Sequence, residues 1–473
     1  MRKIAERCYL PANAVILELI KKHKKDFKLS YSITGAALEQ FELYAPDVLE
    51  SFKTLAKTGC VEFIGETYSH SLSSLANVQE FEAQVKRHSD TIEHYFGQRP
   101  KTFRNTELIY SDSIGEQIAN MGFTTMLTEG AKHVLGWKSP NFVYANANNP
   151  KLKILLRNFR FSDDIAFRFS DRNWNEFPLT AEKYTAWLNA TDKKDEVVNL
   201  FMDYETFGEH QWAASGIFEF LRYLPRTVIA NGNFEFLTPS ETVKKHQVVA
   251  PIHVPHAISW ADEERDLTAW LGNELQHEAF SKVYSLSEQI AASGDTALMR
   301  DWQALQNSDH FYYMSTKWFS DGDVHKYFNP YETPYDAFIN YMNVMSDFLL
   351  RVKKTVGSVA PVAPKVEQKK VPALEKIETP KKAVAPAKKA TTVSPKKATI
   401  VAPKKTTVTK KATATAKTTT VKKAAVASQK QLPVKKAPAT IKKPIVKKAV
   451  VTKKPATTSN VAKKKTNTKS SKK

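Results

Sequence analysis

The chain reads Val197-Val-Asn-Leu-Phe-Met-Asp-Tyr-Glu-Thr-Phe-Gly-Glu-His-Gln-Trp212 where an apolar run meets a polar loop. The first six residues are mostly apolar, which is typical of a strand buried on both faces of a parallel sheet. The following ten hold three carboxylates, one His and three aromatic residues. In parallel α/β folds, loops at the carboxyl ends of strands hold the active-site groups. The stretch therefore predicts a buried strand that ends in an active-site loop.

The same alternation of apolar runs and helical periodicity extends from residue 13 to about residue 246. It favours a parallel α/β layer or barrel. After residue 255 the pattern predicts helices alone. We therefore expect an α/β domain over residues 1–255, a helical domain over residues 256–356 and a tail over residues 357–473. The predicted strands are 27–34, 61–64, 102–104, 124–127, 154–156 and 197–202. The main predicted helices are 36–58, 78–96, 114–121, 179–189, 217–224, 240–246, 261–292, 295–306 and 334–352.

The charge of the chain is divided unequally between body and tail. Residues 361–473 hold 32 Lys, no Arg and three Glu, whereas every aromatic residue lies before residue 361. The body is mildly acidic and gives no electrostatic reason to expect nucleic acid on it. The tail cannot bury enough apolar surface to offset chain entropy, which predicts disorder. It could bind nucleic acid or another polyanion without sequence specificity, or it could be a solubilising extension with no fixed partner.

Two cysteines, Cys8 and Cys60, are too few for a disulfide framework. No apolar run reaches the roughly 18 residues of a membrane span, and the N-terminal residues do not resemble a signal peptide. We therefore expect a reduced, cytoplasmic protein without a membrane partner.

The first polar loop follows the predicted strand 61–64. Glu62, Glu66, Thr67 and His70 could line a pocket there. Taken one at a time, the pattern favours solvated charges at Glu62 and Glu66 and a polar residue that leads into a helix at His70.

The second polar loop, which follows strand 102–104, contains Glu107. A carboxylate at a helix N-terminus, stabilised by the helix dipole, is the alternative interpretation. In the third loop, Asp203 directly follows the apolar run, where desolvation should raise its pKa and suit it to general acid catalysis. A polar capping loop is the alternative there. Glycoside cleavage needs two opposed carboxyl groups, and the pattern favours Glu107 and Asp203 as that pair.

Four short segments, taken together and in this order, are more specific than any one of them. They are the stretch around residues 61–70, Arg104-Asn-Thr-Glu107, Met202-Asp-Tyr-Glu-Thr-Phe-Gly208 and Trp270-Leu-Gly-Asn-Glu-Leu-Gln276. They resemble motifs of glycoside hydrolase family 57, in particular its α-amylase-like branch. The resemblance covers about residues 1–352, and the D-x-E-x-F-G pattern at Asp203 is its most specific element.

The resemblance implies an incomplete (β/α)7 barrel, a helical domain that completes the cleft, and retention of anomeric configuration without a metal or other cofactor. The substrate would be an α-1,4-glucan, with Glu107 as nucleophile and Asp203 as acid/base. Asp309 and His310 look like a further family feature near the cleft, although an aromatic helix junction is the alternative. The implied substrate-binding or supporting residues are Glu62, His70, Glu205, His210, Trp212, Trp270, Asp309 and His310.

One departure concerns the family's first motif, a His-Gln-Pro at the end of the first barrel strand, which does not occur in this sequence. We therefore expect that strand and its substrate-binding His to be absent, which would expose a strand edge and lower stability. Several alternatives stay open: a 4-α-glucanotransferase, a branching enzyme, or an inactive protein that binds glucan or polyanions. A polysaccharide deacetylase would need a metal-binding Asp/His set, and the loops show no His-x-x-x-His spacing for it.

Overall fold

A computed structural model describes residues 1–317 and 328–356. The predicted disorder of the tail lies outside these residues. Nine strands are described: β1 Leu29–Tyr31, β2 Val61–Phe63, β3 Thr102–Arg104, β4 Thr125–Glu129, β5 Val143–Asn146, β6 Lys153–Arg157, β7 Phe207–Gly208, β8 Gln211–Trp212 and β9 Val248–Ile252. The helices from the start of the chain to β9 are α1 Arg2–Ile4, α2 Leu10–His23, α3 Gly35–Tyr44, α4 Pro46–Ala56, α5 Val78–Phe96, α6 Asp112–Asn120, α7 Lys132–Leu135, α8 Phe159–Ala166, α9 Ala181–Asn189, α10 Ile217–Asn231 and α11 Pro239–Lys245.

After β9 the described elements are all helical, as the sequence predicts. They are α12 Thr268–Leu271, α13 Glu274–Tyr284, α14 Ser287–Ser293, α15 Thr296–Leu305, α16 Ser308–Tyr312 and α17 Pro334–Val356. Within the described ranges no helix combines the length and the apolar character that crossing a bilayer requires.

Parallel strands follow one another in chain order. β1 pairs with β2, Gly65 after β2 bridges to Phe103 of β3, and β3, β4 and β6 pair in turn, all in parallel. β5 lies antiparallel to β6 and parallel to β9. The carboxyl ends of β2, β3, β4 and β6 consequently lie at one edge, where the loops with Glu66, Glu107 and Arg157 begin.

Local signals set the helix bounds that position this edge. Asn77 caps α5 by accepting a hydrogen bond from the Glu80 backbone N–H at 2.8 Å, and Gly97 ends the helix with φ +67°. The helix therefore spans Val78–Phe96, as predicted. The predicted helix 36–58 divides into α3 and α4 because Pro46 begins a new helix.

The prediction of a buried, paired strand at residues 197–202 is wrong. Among the described residues its ladder contact is a single parallel bridge between Asn199 and Arg157. Side chains bond both backbone groups of Phe201: Arg157 donates to the Phe201 carbonyl at 2.7 Å, and the Phe201 N–H donates to Ser162 Oγ at 3.2 Å. The segment is also only partly buried. An apolar run without a full-length neighbour thus forms an irregular extended segment.

The prediction of a helix from residue 261 is also wrong over its first turns. Asp262 and Arg265 have φ of +53°, which an α-helix cannot accommodate. The segment is a closed loop instead, since the Ser259 backbone N–H donates to the Arg265 carbonyl at 3.2 Å. β5, β9 and α8 were not predicted from the sequence.

The N-terminal residues cover one side of the loop after residue 203. Ala5–Tyr9 form a turn of π-helix, and the Cys8 thiol donates to the Tyr204 carbonyl at 3.3 Å. A Cβ on Gly208 would lie 2.0 Å from the Arg7 carbonyl oxygen. This close approach requires glycine at residue 208.

Candidate active site

Glu107 lies in a short 3-10 turn directly after β3, and its backbone is unusual. Glu107 and Leu108 have φ of +56° and +52°, a left-handed pair that non-glycine residues rarely adopt. The residue is 1% exposed. Strained backbone of this kind is concentrated at functional sites, and here it fixes the carboxylate beneath the edge where the parallel strands end.

The Glu107 carboxylate accepts hydrogen bonds from side chains that include His70, Ser308 and Trp260. His70 Nε2 lies 3.1 Å from Oε1, and Ser308 Oγ donates to the same oxygen at 3.2 Å. The indole N–H of Trp260 donates to Oε2 at 2.8 Å. Donors on both oxygens stabilise the ionised carboxylate, which is the state that a nucleophile needs.

His70 connects Glu107 to a second buried carboxylate, Glu66. His70 Nδ1 lies 2.7 Å from Glu66 Oε1, and Arg104 approaches the same oxygen at 3.1 Å. Burial alone would raise the pKa of Glu66, but the Arg104 and His70 charges lower it to about 2. Burial alone would lower the pKa of His70, but its hydrogen bonds with Glu107 and Glu66 raise it to about 10. At neutral pH the imidazolium therefore carries a positive charge between two carboxylates.

Asp203 begins the 3-10 turn Tyr204–Thr206 and is partly buried. Its segment lies beside β6, because Asn199 bridges Arg157 and the Phe201 carbonyl accepts from the Arg157 side chain. Phe201 packs in one apolar cluster with Trp260. Asp203 thus belongs to the same edge of the strands as Glu107.

Glu205 follows Asp203 and accepts a hydrogen bond from the Tyr9 hydroxyl. Burial raises the pKa of Glu205, and the nearby charge of Asp203 raises it further. The His210 backbone N–H donates to the Glu205 carbonyl at 2.9 Å. The His210 ring nitrogen Nε2 is buried and has no hydrogen-bond partner among the described residues. The loop therefore places two interacting carboxylates and an imidazole together.

Other residues that the sequence predicts at the site are placed differently. Glu62 accepts hydrogen bonds from Thr102 at 2.7 Å and from the backbone and hydroxyl of Ser240 at 3.0 and 2.7 Å, so it connects β2 and β3 to α11. Trp270 is 1% exposed within the core and packs against Tyr312, so a direct sugar contact would require the core to open.

The segment around Asp309 and His310 approaches the site through its neighbour. The Ser308 N–H donates to the His70 carbonyl at 2.9 Å, while the His310 ring packs against Tyr341 in the helical region, 5.4 Å between centroids. Burial lowers the pKa of His310. Asp309 is partly buried in the first turn of α16. Trp212, on β8, is 62% exposed and open to a ligand.

Trp260, Ser308 and Arg104 were not predicted as site residues, and Glu66 was predicted only as a residue that could line the first loop's pocket. Arg104 and Glu66 lie at the ends of β3 and β2, where side chains of parallel strands converge, so strand-end position could have identified them. Trp260 and Ser308 reach Glu107 across separations of 153 and 201 residues. No local pattern marks such contacts.

Known proteins share sequence with this chain. The profile of the family described as Glycosyl hydrolase family 57 matches residues 1–255. A Methanocaldococcus jannaschii protein named "Putative alpha-amylase" is 45% identical over 366 residues, which cover 75% of this chain and 77% of that protein.

Two solved structures share the fold at low identity. A GH57-type branching enzyme from Pyrococcus horikoshii gives a TM-score of 0.56 at 15% identity, over 75% of this chain and 89% of that one. A 4-alpha-glucanotransferase from Thermococcus litoralis gives 0.52 at 15% identity, over 66% of this chain and 52% of that one. This chain thus spans about half the length of the glucanotransferase. On the profile match and the 45% identity, the chain belongs to glycosyl hydrolase family 57 and is a glycoside hydrolase.

Proposed function

We propose that the protein cleaves α-1,4-glucans with retention of anomeric configuration, with Glu107 as nucleophile and Asp203 as acid/base. The observation that carries the proposal is the buried Glu107 carboxylate, which His70, Ser308 and Trp260 hold from both oxygens. Hydrogen bonds to both oxygens orient such a carboxylate before substrate arrives.

Each residue has a defined step in this mechanism. Glu107 attacks the anomeric carbon while the Asp203 carboxyl gives its proton to the departing glycosidic oxygen, which releases the shorter glucan. Asp203, now a carboxylate, takes a proton from water, and that water displaces Glu107 from the anomeric carbon. Two inversions give net retention. The positive charge of His70 counters the negative charge that returns to Glu107 in the second step.

The architecture that we propose around this site is an incomplete (β/α)7 barrel. The parallel order β1, β2, β3, β4, β6 and the bridge from β6 to Asn199 support a curved wall of strands whose carboxyl ends surround the cleft. The helices after Ile258 would close the cleft from the other side. Ser308 and Trp260 support this, because both contribute donors to Glu107 from that region.

The substrate class follows from the relatives rather than from a bound sugar. The M. jannaschii relative is named for amylase activity, and the two structures of shared fold are named for branching and glucanotransferase activities. Together they favour an α-glucan. Whether water or a second glucan accepts the glycosyl group depends on loop shape around the intermediate.

The direct test is incubation with maltoheptaose, followed by separation of the products by chromatography. Shorter sugars alone would indicate a hydrolase, and a ladder of both shorter and longer sugars would indicate a transferase. Glu107→Gln should lower turnover by at least about 10⁴-fold, since it removes the nucleophile. Full activity in Glu107→Gln would overturn the assignment.

A second test separates Asp203 from its neighbour Glu205. With an activated aryl α-glucoside and azide, Asp203→Asn should yield a glycosyl azide of retained configuration, because azide attacks the covalent intermediate without needing a general base. Glu205→Gln should show no such rescue. Rescue of Glu205→Gln instead of Asp203→Asn would assign the acid/base role to Glu205, whose raised pKa would suit it.

For residues 357–473 the charge in the sequence supports polyanion binding through Lys. The absence of Arg and aromatic residues from this stretch disfavours base-specific contacts. Binding of duplex DNA should fall steeply with salt and should not depend on its sequence. Equal retention of the full chain and of residues 1–356 on immobilised DNA at low salt would contradict this proposal.

A further inference from the structure

The loop of residues 259–266 presents Trp260 to Glu107 through two separate contacts. The indole N–H donates to Glu107 Oε2 at 2.8 Å, and the Trp260 backbone N–H donates to the Glu107 carbonyl at 3.2 Å. The loop thus fixes both the side chain and the strained backbone of Glu107. Neither contact belongs to regular secondary structure.

Buried and partly buried charges hold this loop in place. The Arg265 guanidinium donates to the Trp260 carbonyl and lies 3.6 Å from Asp163. Arg157 pairs with Asp163 and, at 3.1 Å, with Glu129. These ion pairs have little solvent access, so they cannot shift without leaving a buried charge unpaired.

Cations also pack against the indole ring itself. The guanidinium carbons of Arg104 and Arg157 lie 4.9 and 5.7 Å from the Trp260 ring centroid. Lys317 anchors the far side of the loop, 3.0 Å from Asp262 and 2.8 Å from Glu264. The cations therefore limit tilting of the indole ring, and the hydrogen bond of its N–H limits its rotation.

From this geometry we infer that Trp260 is a positioning residue that holds the nucleophile carboxylate in its attacking orientation; the inference rests on the proposed role of Glu107. One indole N–H fixes Oε2, so the carboxylate plane cannot rotate freely, and Oε1 remains beside His70. The same donor favours the ionised carboxylate. Trp260 does not touch the sugar in this role and acts through Glu107.

Trp270 is a matched control for this inference. Both tryptophans lie in the region after residue 255, but the Trp270 indole nitrogen is buried without a hydrogen-bond partner among the described residues. Trp→Phe removes the indole N–H and part of the ring in both cases. The loss of a donor to Glu107 occurs in Trp260→Phe alone.

The first experiment does not depend on turnover. In protein labelled with ¹⁵N-tryptophan, the indole signal that Trp260→Phe abolishes should move with pH as Glu107 ionises, and it should shift in Glu107→Gln. The signal that Trp270→Phe abolishes should do neither. If the chemical shift of the Trp260 indole were unchanged in Glu107→Gln, the contact between the two residues would be absent and the inference would be wrong.

The second experiment measures kcat and KM against pH on maltoheptaose. Loss of a hydrogen bond to a charged group predicts a fall in kcat of about 10- to 100-fold for Trp260→Phe with little change in KM. The acidic limb of kcat/KM should move to higher pH, because the ionised carboxylate has lost a donor. Trp270→Phe should keep the wild-type profile even if its thermal stability falls.

The outcomes separate this inference from the proposed function. Identical profiles for the two Trp→Phe variants would overturn the positioning role while leaving the glycosidase intact. A wild-type protein without turnover on any α-glucan, together with an indole signal that responds to Glu107, would overturn the proposed substrate and keep the contact. Comparison of unfolding midpoints distinguishes misfolding from either result.

Discussion

His70 is the residue on which the charge balance of the site depends. It lies between Glu66 and Glu107, 2.7 Å from one carboxylate and 3.1 Å from the other, and 20% of its side chain is exposed. Two buried carboxylates so close would repel each other without a cation between them. The imidazolium therefore stabilises the site as well as serving the nucleophile.

The pH dependence of stability follows from these shifts. The pKa of His70 rises from 6.5 to about 10 on folding, so its contribution is complete below pH 6.5 and is lost as the pH rises toward 10. The pKa of Glu66 falls from 4.5 to about 2, so its contribution is complete above pH 4.5 and is lost as the pH falls toward 2. The site should therefore be most stable between about pH 4.5 and 6.5.

Urea unfolding of wild type and His70→Gln at several pH values checks this expectation. The difference in unfolding free energy between the two proteins should be largest below pH 6.5 and should shrink between pH 7 and 10. His133→Gln is a control, since His133 is an exposed residue of α7. A difference for His70→Gln that stays constant from pH 5 to 10 would contradict an imidazolium at residue 70.

Glu62 should prove structural rather than catalytic. Its carboxylate accepts three hydrogen bonds from Thr102 and Ser240, and Glu62→Ala leaves those donors unsatisfied. We expect a loss of about 1–3 kcal/mol in unfolding free energy with kcat changed less than about threefold. Parallel urea unfolding and maltoheptaose kinetics test this. A large fall in kcat without loss of stability would show that Glu62 has a role in catalysis.

Residue type and strand-end position favoured Glu107 and Asp203 as a pair and left His70 open, and the family resemblance supplied the roles proposed for them. Contacts distant in the chain were not predictable. His70 follows β2 by a few residues, so its neighbourhood is visible in the local pattern. Trp260 reaches Glu107 only because two left-handed residues, Asp262 and Arg265, close its loop. Asp and Arg do not by themselves indicate a left-handed backbone, so the sequence of this stretch predicts a helix.

Among helices and strands, the predicted bounds agree with the structure where the element has residues that signal its start and its end. The helix Val78–Phe96 has a capping Asn77 and a terminating Gly97, and its predicted bounds agree with the structure. The segment 197–202 has only apolar composition, which does not tell whether a neighbour strand pairs with it. Arg157 and Ser162 bond the backbone of Phe201 instead, and a local sequence pattern does not reveal such side-chain partners.

Gly208 shows how closely the site loop packs against the N-terminal turn. It has φ of +116°, and an added Cβ would lie 2.0 Å from the Arg7 carbonyl oxygen. We expect Gly208→Ala to lower the unfolding free energy by more than about 3 kcal/mol, because backbone strain and a clash add together. Thermal unfolding by circular dichroism provides the measurement.

Gly216 is the matched control for that prediction. It also has a positive φ, +87°, but a Cβ there would meet nothing within 4 Å. Gly216→Ala should therefore lose only the strain energy, about 1 kcal/mol. If both variants lost the same amount, packing of residues 5–9 against Gly208 would contribute nothing to stability.

For residues 1–317 and 328–356, the main apolar core does not stop at residue 255. One buried cluster joins Phe103 and Met126 of the strands to Trp302 and Phe348 of the helices. A polar contact adds to it, since the buried Glu80 of α5 accepts from Gln303 of α15 at 3.0 Å. Burial raises the pKa of Glu80. The boundary that we predicted between residues 255 and 256 thus passes through shared packing.

Shared packing of this kind predicts that both regions unfold together. Two-state unfolding requires that neither part keep its structure once the other is lost, and residues 1–255 alone would expose the apolar side chains that now contact α13, α15 and α17. Calorimetry of the whole protein should therefore show one transition with equal calorimetric and van't Hoff enthalpies, and residues 1–255 alone should fail to give a cooperative transition.

Residues 1–356 are the control, because the core lies within them and their midpoint should match that of the full chain. Two separate transitions, or a folded fragment of residues 1–255, would instead show that the helical region is an independent domain. Trp260 would then contact Glu107 across an interface between two domains that can separate.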